Sequence, residues 1–135
     1  MKIHHLGIVV SDVDEALEAL GIGREEIVET VYDPIQKNNL HIIPLKGNNL
    51  WIELIEPTAP DSSTYNFAKK FSLGLHHLSL ESGNLEKAES SHSMRSGNFP
   101  IGRYSISMQS FGGAVRTLFV AVKGLILEYI KVEDK

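Results

Sequence analysis

Residues 3–11, IHHLGIVVS, return in altered form as LHHLSLES at residues 75–82. Each copy places a His-His-Leu triplet in an otherwise apolar segment, and its second histidines, His5 and His77, are 72 residues apart. In both copies the side chains alternate with the period of two that is typical of a half-buried β-strand. The repeat therefore predicts two equivalent strands in a duplicated fold.

The segments that follow these two strands also occur in the same order. Residues 13–20 have the spacing of an amphipathic helix that Gly21 ends, and Ser11 with Asp14 resembles its capping box. Three extended stretches follow, EIVETVY, LHIIPLK and LWIELIE. After the second strand come a weaker helix within NLEKAESSHSMRS and the strands GRYSISMQS, VRTLFVAV and LILEYIK.

Both halves thus have the order βαβββ. We predict an α+β fold in which two βαβββ modules, residues 1–57 and 74–132, are joined by a connector at 58–73. Together the modules are expected to form one incomplete eight-stranded barrel around a cup.

The amino-acid composition and net charge of the chain exclude several classes of function. The 135 residues are 42% apolar and carry a net charge of −4, which argues against a nucleic-acid or membrane partner. The chain has no cysteine, so disulfides, a thiolate nucleophile and a zinc–thiolate site are excluded. No secretion signal or membrane span is recognised, and a soluble cytoplasmic protein is expected.

An acid interrupts the last apolar strand of each half, Glu53 in WIELIE and Glu128 in LILEYI. Strand alternation puts each acid on the same side as the histidine of its module, at separations of 48 and 51 residues. Taken singly, such residues are usually buried polar groups with ordinary partners. Two imidazoles and two carboxylates in equivalent places instead predict one divalent metal, because the ion offsets two buried acids. His4 and His76 face the other way and are expected to bond to backbone or water.

The four predicted ligands, His5, Glu53, His77 and Glu128, neutralise the charge of a divalent ion and include no soft sulfur. They also leave positions for water. Such an open site suits a Lewis acid that polarises a carbonyl. A divalent ion such as Ni, Co, Zn or Mn is the expected cofactor.

Residues 2–132 resemble the vicinal oxygen chelate superfamily, which includes glyoxalase I, methylmalonyl-CoA epimerase, extradiol dioxygenases and bleomycin-resistance proteins. The segments HHLGIVVSDVDEAL, IELIEP, SSTYNFAKKFSLGLHHLSLE and LILEYI are most similar to the epimerase branch. The resemblance places the metal ligands on the same four residues. Glu53 matches glyoxalase I, since epimerases usually have glutamine there. Epimerases carry a carboxylate base in a segment that reads DPIQKNN here, and Asp33 is the acid nearest to the expected place of that base.

The resemblance implies a metal-dependent isomerase or lyase that transfers a proton next to a metal-bound carbonyl. Glu128 would serve as base and Glu53 would handle the proton on the opposite face. The expected substrate is a small molecule, and a homodimer is expected. Arg103 is a further candidate anion anchor. The predicted substrate-binding residues are Trp51, Phe111, Gly112, Gly113 and Arg116.

Two other functions remain open on the sequence. One is a sequestering protein of the bleomycin-resistance type, although such proteins typically lack the metal ligands. The other is an iron(II) extradiol dioxygenase, which needs two histidines and one glutamate.

Overall fold

The computed structural model describes residues 1–133 and contains the predicted secondary structure elements in the predicted order. The strands are β1 (Ile3–Val10), β2 (Glu29–Asp33), β3 (Asn38–Leu45), β4 (Leu50–Pro57), β5 (Leu73–Glu81), β6 (Asn98–Met108), β7 (Gly113–Val122) and β8 (Leu125–Val132). The α-helices are α1 (Val13–Leu20), α2 (Tyr65–Lys70) and α3 (Leu85–Ser93), with short 3-10 helices at Arg24–Glu26 and Gln109–Phe111. The βαβββ order of both halves and the α+β class are confirmed.

The chain divides into two compact units. Unit I comprises Leu6–His76, and unit II comprises Met1–His5 together with His77–Lys135. The boundaries fall inside β1 and β5, so each of these strands contributes residues to both units. His5 and His77 both belong to unit II.

In unit I, β2, β3 and β4 form an antiparallel ladder, and β1 lies beside β4. The apolar face of α1 packs through Val13 and Leu17 on a core that includes Val10, Ile43 and Leu54. Because side chains alternate along a strand, Glu53 points to the side opposite Leu54. The helix-covered face of this module is therefore the face opposite Glu53.

In unit II, β5 pairs in parallel with β8, and β8, β7 and β6 follow as antiparallel neighbours. Leu85 of α3 packs on Leu80, Leu118 and Tyr129, the helix-covered side of these strands. The opposite side, which we call the polar face, carries His77, Ser79 and Glu128. Ser79 and Glu128 are direct partners in the β5–β8 ladder.

Some boundaries differ from the sequence prediction. The residue that caps α1 is Asp12 rather than Ser11, because the Asp12 side chain accepts a hydrogen bond of 2.9 Å from the backbone N–H of Glu15. The strand predicted from Glu26 begins at Glu29, since residues 24–26 close a 3-10 turn. None of the described helices, the longest of which spans nine residues, is long and apolar enough to cross a membrane.

Candidate functional site

Three strands of unit II bring together three of the four predicted metal ligands: His5 from β1, His77 from β5 and Glu128 from β8. All three side chains are buried, with residue exposures of 1%, 2% and 5%. His77 and Glu128 share the polar face because Ser79, two residues after His77, pairs directly with Glu128. Phe119 of β7 lies opposite Glu128 and its ring contacts the His77 ring edge-on at 5.1 Å.

The possible ligand atoms of these residues converge. Nε2 of His5 lies 3.2 Å from Nε2 of His77 and 2.9 Å from Oε1 of Glu128. Nε2 of His77 lies 3.6 Å from the same carboxylate oxygen. Ligand atoms about 2.1 Å from a cation are about 3.0 Å apart in an octahedron and about 3.4 Å apart in a tetrahedron. The triangle therefore has the size of one face of a coordination polyhedron.

The ionisation and the buried surroundings of Glu128 also suit the binding of a cation. Its Oε1 is buried and accepts no hydrogen bond of normal geometry from a described residue, although Nε2 of His5 approaches it to 2.9 Å. Burial by itself raises the pKa of Glu128, but the nearby His5 and His77 outweigh burial and hold that pKa below its ordinary value. A buried, ionised oxygen without a directed partner is costly, and a divalent ion would compensate it. The residues present fit the metal that the resemblance implies.

His4 lies directly behind this triangle. Its Nδ1 is 2.8 Å from Nδ1 of His5, and both rings are buried. Burial, and secondly the neighbouring His5, lower the pKa of His4 to about 4. The sequence prediction of a bond to backbone or water did not include this contact of His4 with the next side chain in the strand.

Phe111, a predicted substrate-binding residue, packs against the same two histidines. Its ring stacks on His5 at 5.2 Å with an interplanar angle of 21° and meets His4 edge-on at 4.5 Å. The following Gly112 and Gly113 have φ angles of +97° and +114°, which residues other than glycine rarely adopt. The two glycines therefore allow the tight turn that leads from Phe111 into β7.

The structure does not bring Arg116 to the three ligands. Arg116 pairs with Lys131 in the β7–β8 ladder while Glu128 pairs with Phe119, so Arg116 occupies the opposite face. It forms ion pairs there with Glu86 and Glu133. The candidate anchor Arg103 similarly binds Glu89, through contacts of 2.7 and 3.1 Å.

The fourth predicted ligand, Glu53, lies in unit I. It is buried in the middle of β4, directly opposite Ile42 of β3. Trp51, two residues earlier on the same face, is half-buried and lines a cavity of about 410 Å³ at the turn between β3 and β4. An acid at this apolar position is unusual and calls for a compensating charge or donor.

Asp33, the acid of the segment in which the resemblance places a base, closes a turn in unit I. Its carboxylate accepts hydrogen bonds from the backbone N–H groups of Ile35 and Gln36, at 2.9 and 3.2 Å, and from the side chain of Gln36. These bonds tie Asp33 to the hairpin between β2 and β3. Its role in the structure is to cap that turn.

Ser79 lies beside His77 on the polar face and is not among the predicted site residues. The structure shows a fully buried hydroxyl on the polar face, whose Oγ has no hydrogen-bond partner among the described residues. The sequence signal that could have identified it is its position two residues after His77, which places both side chains on the same face of β5. A buried hydroxyl without a partner is uncommon and marks a place where a ligand or water is expected.

Comparison with known proteins bears on the fold and the family. The sequence model of the Glyoxalase/Bleomycin resistance protein/Dioxygenase superfamily matches residues 4–99. A search of curated proteins finds no match. The structure is similar to methylmalonyl-CoA epimerase from Mycobacterium tuberculosis, with a TM-score of 0.77, 20% identity, and coverage of 98% of this chain and 88% of that chain.

Two further solved structures show the same fold. A hypothetical protein from Bacillus halodurans C-125 has a TM-score of 0.77 and 19% identity, over 99% of this chain and 96% of that one. A variant of Streptomyces coelicolor methylmalonyl-CoA epimerase, bound to 2-nitronate-propionyl-CoA, has a TM-score of 0.74 and 21% identity, over 99% of both chains.

Proposed function

Because the chain belongs to the Glyoxalase/Bleomycin resistance protein/Dioxygenase superfamily, we propose that it is a metal-dependent isomerase or lyase. In this proposal the enzyme transfers a proton at a carbon next to a carbonyl, as an acyl-CoA epimerase does. The observation that carries the proposal is the buried triangle of His5, His77 and Glu128, whose atoms lie 2.9 to 3.6 Å apart.

Each member of the triangle has a task that its environment supports. The two histidines supply neutral nitrogen ligands from adjacent strands, and their aromatic neighbours Phe111 and Phe119 restrict ring rotation. Glu128, whose pKa is held below its ordinary value, is ionised at neutral pH. As an unprotonated carboxylate it can bind a cation, and in this proposal it is also the base that takes the substrate proton. A divalent ion held here would act as a Lewis acid on the substrate carbonyl.

Glu53 is the proposed fourth ligand and the proposed proton carrier on the second face. Support comes from its burial and from its place on the last strand of its module, equivalent to that of Glu128. Trp51, on the same face of β4, is the proposed wall of the substrate site. Arg116 is left out of the proposal because Glu86 and Glu133 engage it on the other face.

The proposed substrate is a small acyl thioester or 2-oxo compound. Support comes from the fold of the similar epimerases, one of which was solved with methylmalonyl-CoA and another with 2-nitronate-propionyl-CoA. We also propose a cytoplasmic homodimer. Strand β6 ends the strand order and exposes Phe99 and Ile101, features typical of an edge that a partner covers. A monomeric mass by light scattering would count against dimerisation.

One observation favours a second function. Within unit II the triangle has two histidines and one carboxylate, which is the ligand set of non-haem iron(II) oxygenases. An extradiol-type dioxygenase therefore remains the second candidate. The two proposals differ at Glu53, because a fourth protein ligand would occupy a position that oxygen requires.

The deciding experiment combines metal analysis with two assays. The purified protein is incubated with Ni²⁺, Co²⁺, Zn²⁺ or Mn²⁺, its metal content is measured, and solvent deuterium uptake into methylmalonyl-CoA is followed by mass spectrometry. Oxygen uptake with catechols is measured on the Fe²⁺-loaded protein. Metal binding with deuterium uptake supports the isomerase, whereas oxygen uptake supports the dioxygenase. Absence of metal binding would favour a sequestering protein instead.

A further inference from the structure

His4 contacts a predicted ligand at the nitrogen that faces away from the other two ligands. The Nδ1 atoms of His4 and His5 are 2.8 Å apart, while Nε2 of His5 points to His77 and Glu128. The His4 ring meets the His5 ring at 79° and the Phe111 ring at 90°, and Phe111 stacks on His5. The three rings therefore fix one another's orientation.

The protons on these two imidazoles cannot be placed freely. A ring nitrogen that binds a metal carries no proton, so a neutral His5 that binds through Nε2 carries its proton on Nδ1. At 2.8 Å one of the facing Nδ1 atoms donates and the other accepts. His4 is then the acceptor, with a bare Nδ1 and its own proton on Nε2.

We propose that His4 is a positioning residue for the metal centre. Its Nδ1 accepts the Nδ1–H of His5, so that Nε2 of His5 stays unprotonated and directed at the ion. The inference rests on the proposed function, since it assumes that His5 binds metal. Histidine ligands commonly donate their second N–H to a carboxylate, a backbone carbonyl or water. Here the acceptor is the neighbouring imidazole, so His5 is oriented without a third negative charge.

The alternative tautomer of His4, with its proton on Nδ1, would interfere with metal binding by His5. If His4 presented an Nδ1–H, two donors would face each other at 2.8 Å, and His5 could relieve the clash only by moving its proton to Nε2. That proton would occupy the nitrogen that the metal needs. Removal of an outer partner of this kind typically weakens metal binding by about 10- to 100-fold.

The test uses two substitutions of His4 that differ only in the acceptor. His4→Phe keeps a ring beside Phe111 but removes the acceptor, whereas His4→Asn places an amide oxygen close to the position of Nδ1. His41→Phe is the matched control, because His41 is an equally buried imidazole that bonds to Thr30 and Glu56. Binding of Zn²⁺ and Co²⁺ alone is measured by calorimetry, together with the absorption spectrum of the Co²⁺ protein.

We expect His4→Phe to bind both ions about 10- to 100-fold more weakly with an altered Co²⁺ spectrum, and His4→Asn and His41→Phe to stay within a few-fold of wild type. Equal affinity and an unchanged spectrum in a folded His4→Phe variant would overturn the role of His4 while leaving the proposed function intact. If wild type bound neither ion, the proposed function would fail first. Nitrogen-15 NMR of the Zn²⁺-loaded wild-type protein tests the contact directly, since His4 must carry its proton on Nε2 there. A proton on Nδ1 of His4 in that protein would refute the proposal.

Discussion

Nε2 of His5 and Nε2 of His77 lie 3.2 Å apart although 72 residues separate them in the chain. The two residues occupy equivalent places in the duplicated IHHLGIVVS and LHHLSLES segments. Two neutral imidazoles at this distance can share one N–H···N hydrogen bond. The same arrangement lets both nitrogens face one cation.

Replacement of His77 by Ala should abolish tight binding of divalent metal. At a free metal concentration about 100 times the dissociation constant, bound ion stabilises the wild type by about 2.7 kcal/mol, and this gain should disappear. The measurement is the melting temperature with Co²⁺ and with a chelator. His41→Ala removes a buried imidazole outside the triangle and should keep the metal-dependent increase. An increase of the same size in His77→Ala would contradict the assignment.

Replacement of Glu128 by Gln should reduce proton exchange more than it reduces metal affinity. The amide oxygen can still face a cation, but it cannot accept the substrate proton, so we expect a loss of about 10²- to 10⁴-fold in deuterium uptake. Calorimetry reports the metal affinity of the same preparation. The control is Glu56→Gln, since Glu56 is a partly buried acid that bonds to Val13 and His41 instead. Parallel losses in exchange and metal binding would show that Glu128 acts as a ligand only.

The shared face of His77 and Glu128 could be predicted because strand alternation is a local property of the sequence. The face of the sheet on which Arg116 lies could not be predicted, because it depends on the register that pairs Arg116 with Lys131 and Phe119 with Glu128. A shift of one residue in that register would reverse the result. Arg116 was therefore a candidate anion anchor by residue type, and the structure places it on the face opposite Glu128.

The contact between His4 and His5 was also beyond sequence reasoning. Alternation assigns adjacent residues to opposite faces, yet ring rotation brings the two Nδ1 atoms within 2.8 Å. Asp33 shows the same limit, because its carboxylate is engaged by N–H groups of the turn that follows it. Rotamers and turn hydrogen bonds depend on the folded surroundings, whereas strand periodicity does not.

Protonation of His92 should lower stability below neutral pH. Nδ1 of His92 bonds to the side-chain amide of Asn98 at 2.9 Å, and Nε2 lies 2.5 Å from the hydroxyl of Tyr129. Burial, and secondly the charge of Arg95, lower the pKa of His92 from 6.5. The unfolded chain therefore binds this proton first, and the free energy of unfolding should fall as pH drops below about 6.5.

Urea unfolding at about pH 7.5 and about pH 5.5 measures this dependence. His92→Gln cannot titrate and should lose part of the decrease that the wild type shows between the two pH values. The remaining decrease reports the other histidines and serves as an internal reference. An identical decrease in both proteins would mean that His92 is not protonated differently in the folded and unfolded states.

Replacement of Ser79 by Ala should stabilise the metal-free protein, which is the reverse of what loss of a buried polar group usually does. Oγ of Ser79 is fully buried and has no hydrogen-bond partner among the described residues, so its removal ends a desolvation cost of about 1 kcal/mol. Ser62 offers a matched control, since its buried hydroxyl donates to Asn38 at 2.5 Å and accepts from the backbone of Thr64 at 3.1 Å. Ser62→Ala should therefore destabilise the protein by about 1 kcal/mol. Urea unfolding with excess chelator compares the three proteins, and a loss of stability in Ser79→Ala as large as that in Ser62→Ala would show that Ser79 has a partner in solution.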